Sequence, residues 1–339
     1  MKTWQGVIVL VLGFQMAAAV AARGEDGVRN LALNRAAYTS TVADYINTGH
    51  MATDGYMDTK WRSLGGHRRG DEQPWIYVDL GAECTIQKIV LKWEALYPKK
   101  YRIAVSSTAP SPETGFVEEW RDVQGTDNSK GDTEELKLNT PVKGRYVRMA
   151  CGEQDQGLPE GIGLTEFEVW GTGGPVVKPA PLPPPAKDGT WNLCGGWRLN
   201  SQKYVTDSAA KIATNGYDDS RWLAATVPGT ILTSYLNIGA IPDPWYADQN
   251  SMISDWFCRT SWWYRTELEM PESYRGKRIW LNFDGINYRA EIDETQELNY
   301  SAIMRVIVKK GFTGYVAQEF VPKRDPYQSL SQGIRICDM

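Results

Sequence analysis

Trp75-Ile76-Tyr77-Val78-Asp79-Leu80-Gly81 decides the fold class of this chain. Ile76, Val78 and Leu80 alternate with Trp75, Tyr77 and Asp79, the period of two that a half-buried strand shows and a helix does not. Tyr101, Ile103 and Val105 repeat the pattern against polar or small neighbours, and turn residues separate such short runs from Val28 to Gly174. The expectation is a mainly β protein, with an antiparallel β-sandwich over residues 28–174.

Working outward, the 339 residues leave room for two or three domains of about 100–200 residues each. A hydrophobic share of 42% with 23% charged residues places the chain among globular proteins rather than disordered ones. Its net charge of −4 and lack of a basic stripe exclude nucleic acid as a partner. His50 and His67 are the only histidines, which argues against histidine-rich zinc sites and Ser-His-Asp chemistry. The 14 tryptophans fit either a sandwich core or sugar recognition, in which indole faces stack on apolar C–H faces. The five cysteines match no zinc or redox spacing, and Cys84 and Cys151 read either as a bridge within one domain or as buried free thiols.

Lys2, the mostly apolar run Gly6 to Ala22 and the small residues Ala19-Val20-Ala21-Ala22 read as a signal peptide over residues 1–22. A spanning helix needs about 20 apolar residues; this run is shorter and Gln15 interrupts it. Export is therefore expected, to a secreted or periplasmic location, with no stable membrane anchor after cleavage. Pro181-Leu182-Pro183-Pro184-Pro185 marks residues 175–189 as an extended linker, since proline lacks the amide a sheet ladder needs. Residues 190–292 form a second aromatic-rich β region, with Trp262 to Thr266 and Arg278 to Phe283 as its strand-like runs. Residues 293–339 change texture to a short α/β tail, with helical spacing over Ser301 to Val308 ended by Gly311.

Asp54-Gly55-Tyr56-Met57-Asp58-Thr59-Lys60-Trp61 is an oxygen-rich loop ending in a large aromatic. It reads either as an Asp-Gly turn whose carboxylate caps its own backbone, or as a seat for calcium, which takes about six to eight oxygens. That loop, Asn30-Leu31-Ala32-Leu33-Asn34, Trp75 to Gly81, Ile89 to Glu94, Arg145-Tyr146-Val147-Arg148 and Leu164 to Gly171 occur in one order. Together they resemble the discoidin domain, also called the coagulation factor V/VIII type C domain, whose sugar-binding version is carbohydrate-binding module family 32. The resemblance implies a structural calcium held by side-chain oxygens of Asp54, Thr59 and Glu166 and by backbone oxygens of Met51, Tyr56, Thr59 and Thr165. It also implies carbohydrate bound by loops at one end of the sandwich, here Thr41–His50, Arg62–Gln73, Glu94–Lys99 and Gly152–Gly163. Tyr45 and Tyr97 are candidate stacking platforms; Asp44, Arg62, His67 and Arg68 are candidate partners for hydroxyl, amine or acid groups. Lipid binding in this family uses exposed apolar spikes, and these loops carry no obvious pair of them.

In the second region, Gly196-Trp197-Arg198-Leu199, Tyr217 to Trp222, Ala225 to Thr230, Pro242 to Tyr246, Trp262 to Arg265 and Leu281 to Ile286 form another ordered set. They resemble the N-terminal jelly-roll domain of glycoside hydrolase family 2, nearest its exo-β-glucosaminidase and β-mannosidase branch. The resemblance fades at Tyr288 to Ile292, so an incomplete jelly roll is expected over residues 190–292. Asp243, Trp245, Tyr246 and Asn250 match loosely a segment that reaches the substrate in that family, and also read as a turn with packed aromatics. The family's cleavage needs two carboxylates about 5–5.5 Å apart across the glycosidic bond, and its relatives carry them on a barrel. The expectation is therefore a secreted, non-catalytic carbohydrate-binding portion of a family 2 glycosidase, with no catalytic residue assigned; glycosidase activity is the alternative. Asp293 to Tyr300 and Gly314 to Pro322 resemble the C-terminal end of hydroxypyruvate isomerase, with Glu319 at a metal-binding position that one strand alone cannot complete.

Overall fold

The structure is a computed structural model that describes residues 6–13, 27–65, 73–152, 161–285 and 290–292. Strand β1 spans Gly6–Gly13, and β2 (Arg29–Asn30), β3 (Ala37–Thr39) and β4 (Trp61–Arg62) are short. The long strand β5 (Trp75–Trp93) precedes β6 (Tyr101–Ser106), β7 (Arg121–Thr126), β8 (Thr133–Cys151) and β9 (Gly163–Gly173). Further along lie β10 (Arg198–Ser201), β11 (Leu223–Ala224), β12 (Trp262–Glu269) and β13 (Ala290–Ile292). Helices α1 (Ala209–Ile212), α2 (Ile231–Asn237) and α3 (Trp256–Arg259) interrupt the later stretch. The chain is mainly β, and it divides into two compact units.

The larger unit comprises Ala17–Trp197 and Leu223–Arg259. Its strands run β2-β9-β5-β8-β6-β7, with β3 paired to β5 and β4 to β9, every pairing antiparallel. β5 bends sharply after Asp79, so that Trp75–Asp79 pairs with Tyr146–Ala150 while Cys84–Trp93 pairs with both β8 and β9. Gly81 makes the bend at φ +81°, a left-handed conformation that costs glycine little. Asp79 accepts the Gly81 amide at 2.8 Å and both Arg145 nitrogens at 2.7 and 2.8 Å, which pins the corner. Alternation along these strands sends Ile76, Val78, Leu80, Ile103, Val105, Val147 and Met149 into one core with Trp61, Leu164 and Phe167. Burying each such side chain stabilises the fold by about 1.5–3 kcal/mol. Cys84 sits opposite Gly144, whereas Cys151 sits opposite Tyr101 at the far end of β8. Both are buried free thiols, which rules out the bridge.

Within residues 190–292, 198–222 and 260–292 belong to the smaller unit and 223–259 to the larger. Residues 223–259 pack in the larger unit, where Arg35 donates to Ile238 O at 3.0 Å and the Ala36 amide to Gly239 O at 2.9 Å. The His50 ring lies 5.4 Å from Tyr235 and 5.6 Å from Phe257. Burial pushes His50 down to about 4, so its imidazole is a neutral packing group at ordinary pH. Thr230 caps α2 by accepting the Thr233 amide at 3.1 Å.

In the smaller unit, β12 pairs antiparallel with β10 and parallel with β1, and β13 pairs parallel with β1. Val205, Ile212, Trp222 and Trp263 form its core. Arg278 to Phe283, expected as a strand, carries no ladder; it has no partner among the described residues, and Trp280 is 75% exposed. The signal-peptide segment enters the described residues only as β1, and the tail 293–339 with Glu319 lies outside them.

Candidate functional site

Four loops converge at the end of the sandwich where β5 begins. The Trp61 indole donates to Thr41 O at 2.9 Å, the Ala43 amide to Arg62 O at 2.8 Å and the Arg62 amide to Asn47 O at 3.1 Å. The Ser63 amide donates to Ile162 O at 2.9 Å, the Ile162 amide donates to Ser63 Oγ at 2.9 Å, and the Gly163 amide reaches Leu96 O at 2.8 Å. The chain regions 41–47, 61–64, 94–97 and 161–163 are therefore held together by backbone bonds and by the buried Trp61 and Ser63 side chains.

The expected binding residues take different roles there. Asp44 turns its carboxylate on its own loop, accepting the Ile46 amide at 2.7 Å, the Asn47 amide at 2.8 Å and the Asn47 side chain at 2.8 Å. Partial burial opposes its ionisation, yet these bonds and the nearby Arg62 charge hold it below the usual carboxylate range. Tyr45 is 63% exposed on the loop that Asp44 fixes, the geometry of a ring free to stack. Its carbonyl accepts the Asp255 amide at 2.7 Å, so the backbone under it is anchored. Arg62 has its Nε buried without a hydrogen-bond partner. Tyr97 is half-buried: the Lys99 ammonium sits 4.3 Å above its ring, and a Cβ at Gly131 would lie 2.4 Å from it. His67 and Arg68 lie outside the described residues.

Sequence reasoning missed Glu94, which pairs with Lys60 at this end and keeps Oε2 buried without a partner. Its only signal was its place directly after the apolar run ending at Trp93. Asp243 forms the expected turn, accepting the Trp245 amide at 2.9 Å. Trp245 is nevertheless 88% exposed rather than packed, and Tyr246 and Asn250 are exposed as well.

The oxygen-rich loop closes beside these loops. Asp54 and Glu166 are 8% and 2% exposed, and their carboxyls lie against each other. Glu166 Oε1 accepts the Gly55 amide at 3.0 Å, and Asp54 Oδ1 accepts the Tyr56 amide at 2.9 Å. Burial raises both carboxyls above the usual range; the Asp54 charge raises Glu166 further, whereas at Asp54 the Tyr56 amide, the Thr59 hydroxyl and the hydrogen bond with Glu166 oppose the rise. Thr59 Oγ1 lies 2.9 Å from Asp54 Oδ1 and 2.8 Å from Tyr56 O, but a hydroxyl has one proton to give, so one of these contacts is oxygen against oxygen. Asp54 Oδ2 is buried with no partner. Met51 and Thr165 are buried, three residues before Asp54 and one before Glu166 respectively. An orphaned carboxylate oxygen in a dry nest of oxygens fits a hard cation, although no group of three or more His, Cys, Asp or Glu side chains assembles among the described residues.

Residues 51–149 match the family model described as F5/F8 type C, NedA-like, galactose-binding domain. Residues 198–305 match that of the glycosyl hydrolase 2 galactose-binding domain-like family. An exo-beta-D-glucosaminidase of Streptomyces avermitilis is 28% identical over 114 residues, which is 34% of this chain and 12% of that protein. The chain thus spans about an eighth of that relative's length. Chitosan-binding module 1 from the chitosanase/glucanase of Paenibacillus sp. IK-5 is 33% identical, with 42% of this chain covering 99% of the module at a TM-score of 0.37. Module 2 of the same enzyme, solved in complex with chitotriose, is 31% identical, with 42% of this chain covering all of it at a TM-score of 0.37. The chain therefore carries an F5/F8 type C region followed by a glycosyl hydrolase 2 galactose-binding-like region, with an exo-beta-glucosaminidase among its homologues.

Proposed function

We propose that the chain is an exported carbohydrate-binding protein, the non-catalytic portion of a family 2 glycosidase of the exo-β-glucosaminidase and β-mannosidase branch. Its glycan is held by the loop end of the larger unit. The observation that carries this reading is Tyr45, an exposed ring on a loop whose backbone is pinned by Asp44 and Asn47. Such a ring offers an apolar platform with little ordering cost on binding. Arg62, and by resemblance His67 and Arg68, supply polar partners around it. A glycan array probed with the full chain tests the reading. Retention of a defined set of glycans, lost in Tyr45→Ala, is expected; an array without signal, or binding to anionic vesicles in its place, overturns it.

Calcium is the second part of the reading. Asp54, Thr59 and Glu166 side chains with the Met51, Tyr56, Thr59 and Thr165 carbonyls would hold it. Bound there, the ion supplies the positive charge that the two carboxylates lack and ties the loop to β9. Export is the third part. Cleavage after Ala21 or Ala22 removes β1 and opens the edge of β12. Mass spectrometry of the exported protein should find its N-terminus at residue 22 or 23, and an intact Met1 in that fraction contradicts export by cleavage. The tail's likeness to hydroxypyruvate isomerase adds no activity here, so a coupled hydroxypyruvate assay should stay blank.

A further inference from the structure

Alternation on β5 that sends Ile76 and Val78 inward sends Trp75 and Tyr77 to the opposite face of the sheet. There Tyr38 stacks on Tyr77 at 4.8 Å, and Trp75 stacks on the other side at 5.8 Å. The loop ahead of β7 folds over this cluster. Gly115 sits at φ +62°, and a Cβ there would come within 2.9 Å of the Trp75 ring, so glycine is required twice over. Its carbonyl accepts the Trp120 indole at 2.8 Å. The Arg148 guanidinium lies 5.4 Å from Trp75 and 5.8 Å from Trp120, a planar cation held against two indoles.

Between this loop and the sheet is a cleft of about 240 Å³, lined by Gln73, Trp75, Thr114, Phe116, Arg148 and the edge of β8. Phe116 is 64% exposed at its mouth. Gln73 Oε1 is buried with no hydrogen-bond partner, an acceptor left open at a cost of about 1–3 kcal/mol. None of Asp44, Tyr45, Arg62 or Tyr97 lines the cleft.

We propose that this cleft is a second carbohydrate subsite that takes one uncharged pyranose ring. The inference rests on the carbohydrate-binding reading above and adds a separate place and a charge preference to it. A pyranose presents an apolar C–H face to Phe116, a hydroxyl proton to Gln73 Oε1 and a hydroxyl oxygen to Arg148. The volume is below the roughly 300 Å³ at which pockets begin to hold drug-sized ligands, so one ring fills it. The permanent guanidinium charge disfavours an ammonium-bearing sugar in the same space.

Calorimetric titration of the full chain with the N-acetylated trisaccharide of glucosamine, and with its deacetylated counterpart at mildly acidic pH, tests this. Phe116→Ala and Gln73→Ala should each weaken the neutral trisaccharide by roughly ten-fold and leave the ammonium-bearing one unchanged. Phe116 is a surface residue, so its truncation leaves the fold intact, and Tyr45→Ala should leave the Phe116-dependent component in place. If both cleft variants bind the neutral trisaccharide as the native chain does, while Tyr45→Ala abolishes binding, the cleft is no subsite and the loop-end reading survives. If the native chain binds neither trisaccharide nor any other glycan, both fall.

Discussion

Each unit buries ionisable groups, and the two do so in opposite ways. In the smaller unit Arg265 is 2% exposed, and its charge meets Asp219 at 2.5 Å, Glu267 at 3.0 Å and two backbone carbonyls, with the Tyr217 ring 5.5 Å away. Arg198 adds a second cation to Asp219 at 3.4 Å. In this cluster Arg198, Asp219, Arg265 and Glu267 each face a charge of opposite sign. In the larger unit Asp54 and Glu166 bring two acids together in one buried loop, where burial presses both toward the neutral form and Asp54 Oδ2 has no hydrogen-bond partner. The first arrangement is paired within itself, and the second leaves an acceptor open. On the calcium reading proposed above, that difference separates a region paired for its own stability from one with room for an ion.

The largest effect should come from opening the self-contained pair. Arg265→Met leaves Asp219 buried without its main partner and should destabilise the smaller unit by about 3–5 kcal/mol, read as a fall in its unfolding midpoint by tryptophan fluorescence. Replacing Asp219 with Leu in the same chain should recover most of that loss, because the charges left unpaired, Arg198 and Glu267, both reach solvent. Recovery in the double variant sharpens the contrast; equal loss in single and double variants breaks it.

Next in size is the response to calcium. The melting transition of the larger unit should rise with added calcium, by about 2.7 kcal/mol when the ion is held at about 100 times its Kd. Glu166→Gln should cancel that response while leaving the metal-free transition close to that of the native chain, because burial already holds Glu166 toward its neutral form. A variant that loses stability without calcium would mean the pair needs no ion.

Smaller again is Gly131→Ala. It forces a side chain onto a residue at φ +73° and against the Tyr97 ring, and should cost the larger unit about 1–3 kcal/mol. The smallest effect belongs to Glu134, which accepts from Trp93, Tyr101, Ser129 and the Lys130 amide at 2.9 to 3.0 Å. Burial opposes its ionisation, but these four donors lower its pKa from the ordinary 4.5. A depressed folded-state pKa means its stabilisation is complete above pH 4.5 and is lost as pH falls through the folded value. Glu134→Gln should therefore lower the melting point at neutral pH by the equivalent of about 1 kcal/mol after solvent screening, and flatten the acid limb of the pH profile.

The alternation of Trp75 to Leu80 was enough to read the sandwich, because a period of two is a property of neighbouring residues. The oxygen-rich loop was legible for the same reason: Asp54, Tyr56 and Thr59 lie within one turn, and resemblance supplied Glu166. What stayed hidden depends on residues far apart in the chain. Nothing local announces that Asp219 meets Arg265, 46 positions on, or that Arg148 lies against Trp75 and Trp120. Arg278 to Phe283 shows the reverse failure, since strand-like composition forms no ladder without a partner edge. The helix at Ile231, capped by the Thr230 hydroxyl, lies in a stretch that its aromatic texture marked as β.

Ligand-observed NMR of a soluble oligosaccharide incubated for hours with the purified full chain measures retention and cleavage in one sample. Broadened sugar resonances with an unchanged anomeric region are predicted from the proposed role, in which the chain holds the glycan and leaves its bonds intact. New reducing-end anomeric signals growing in proportion to protein would contradict it.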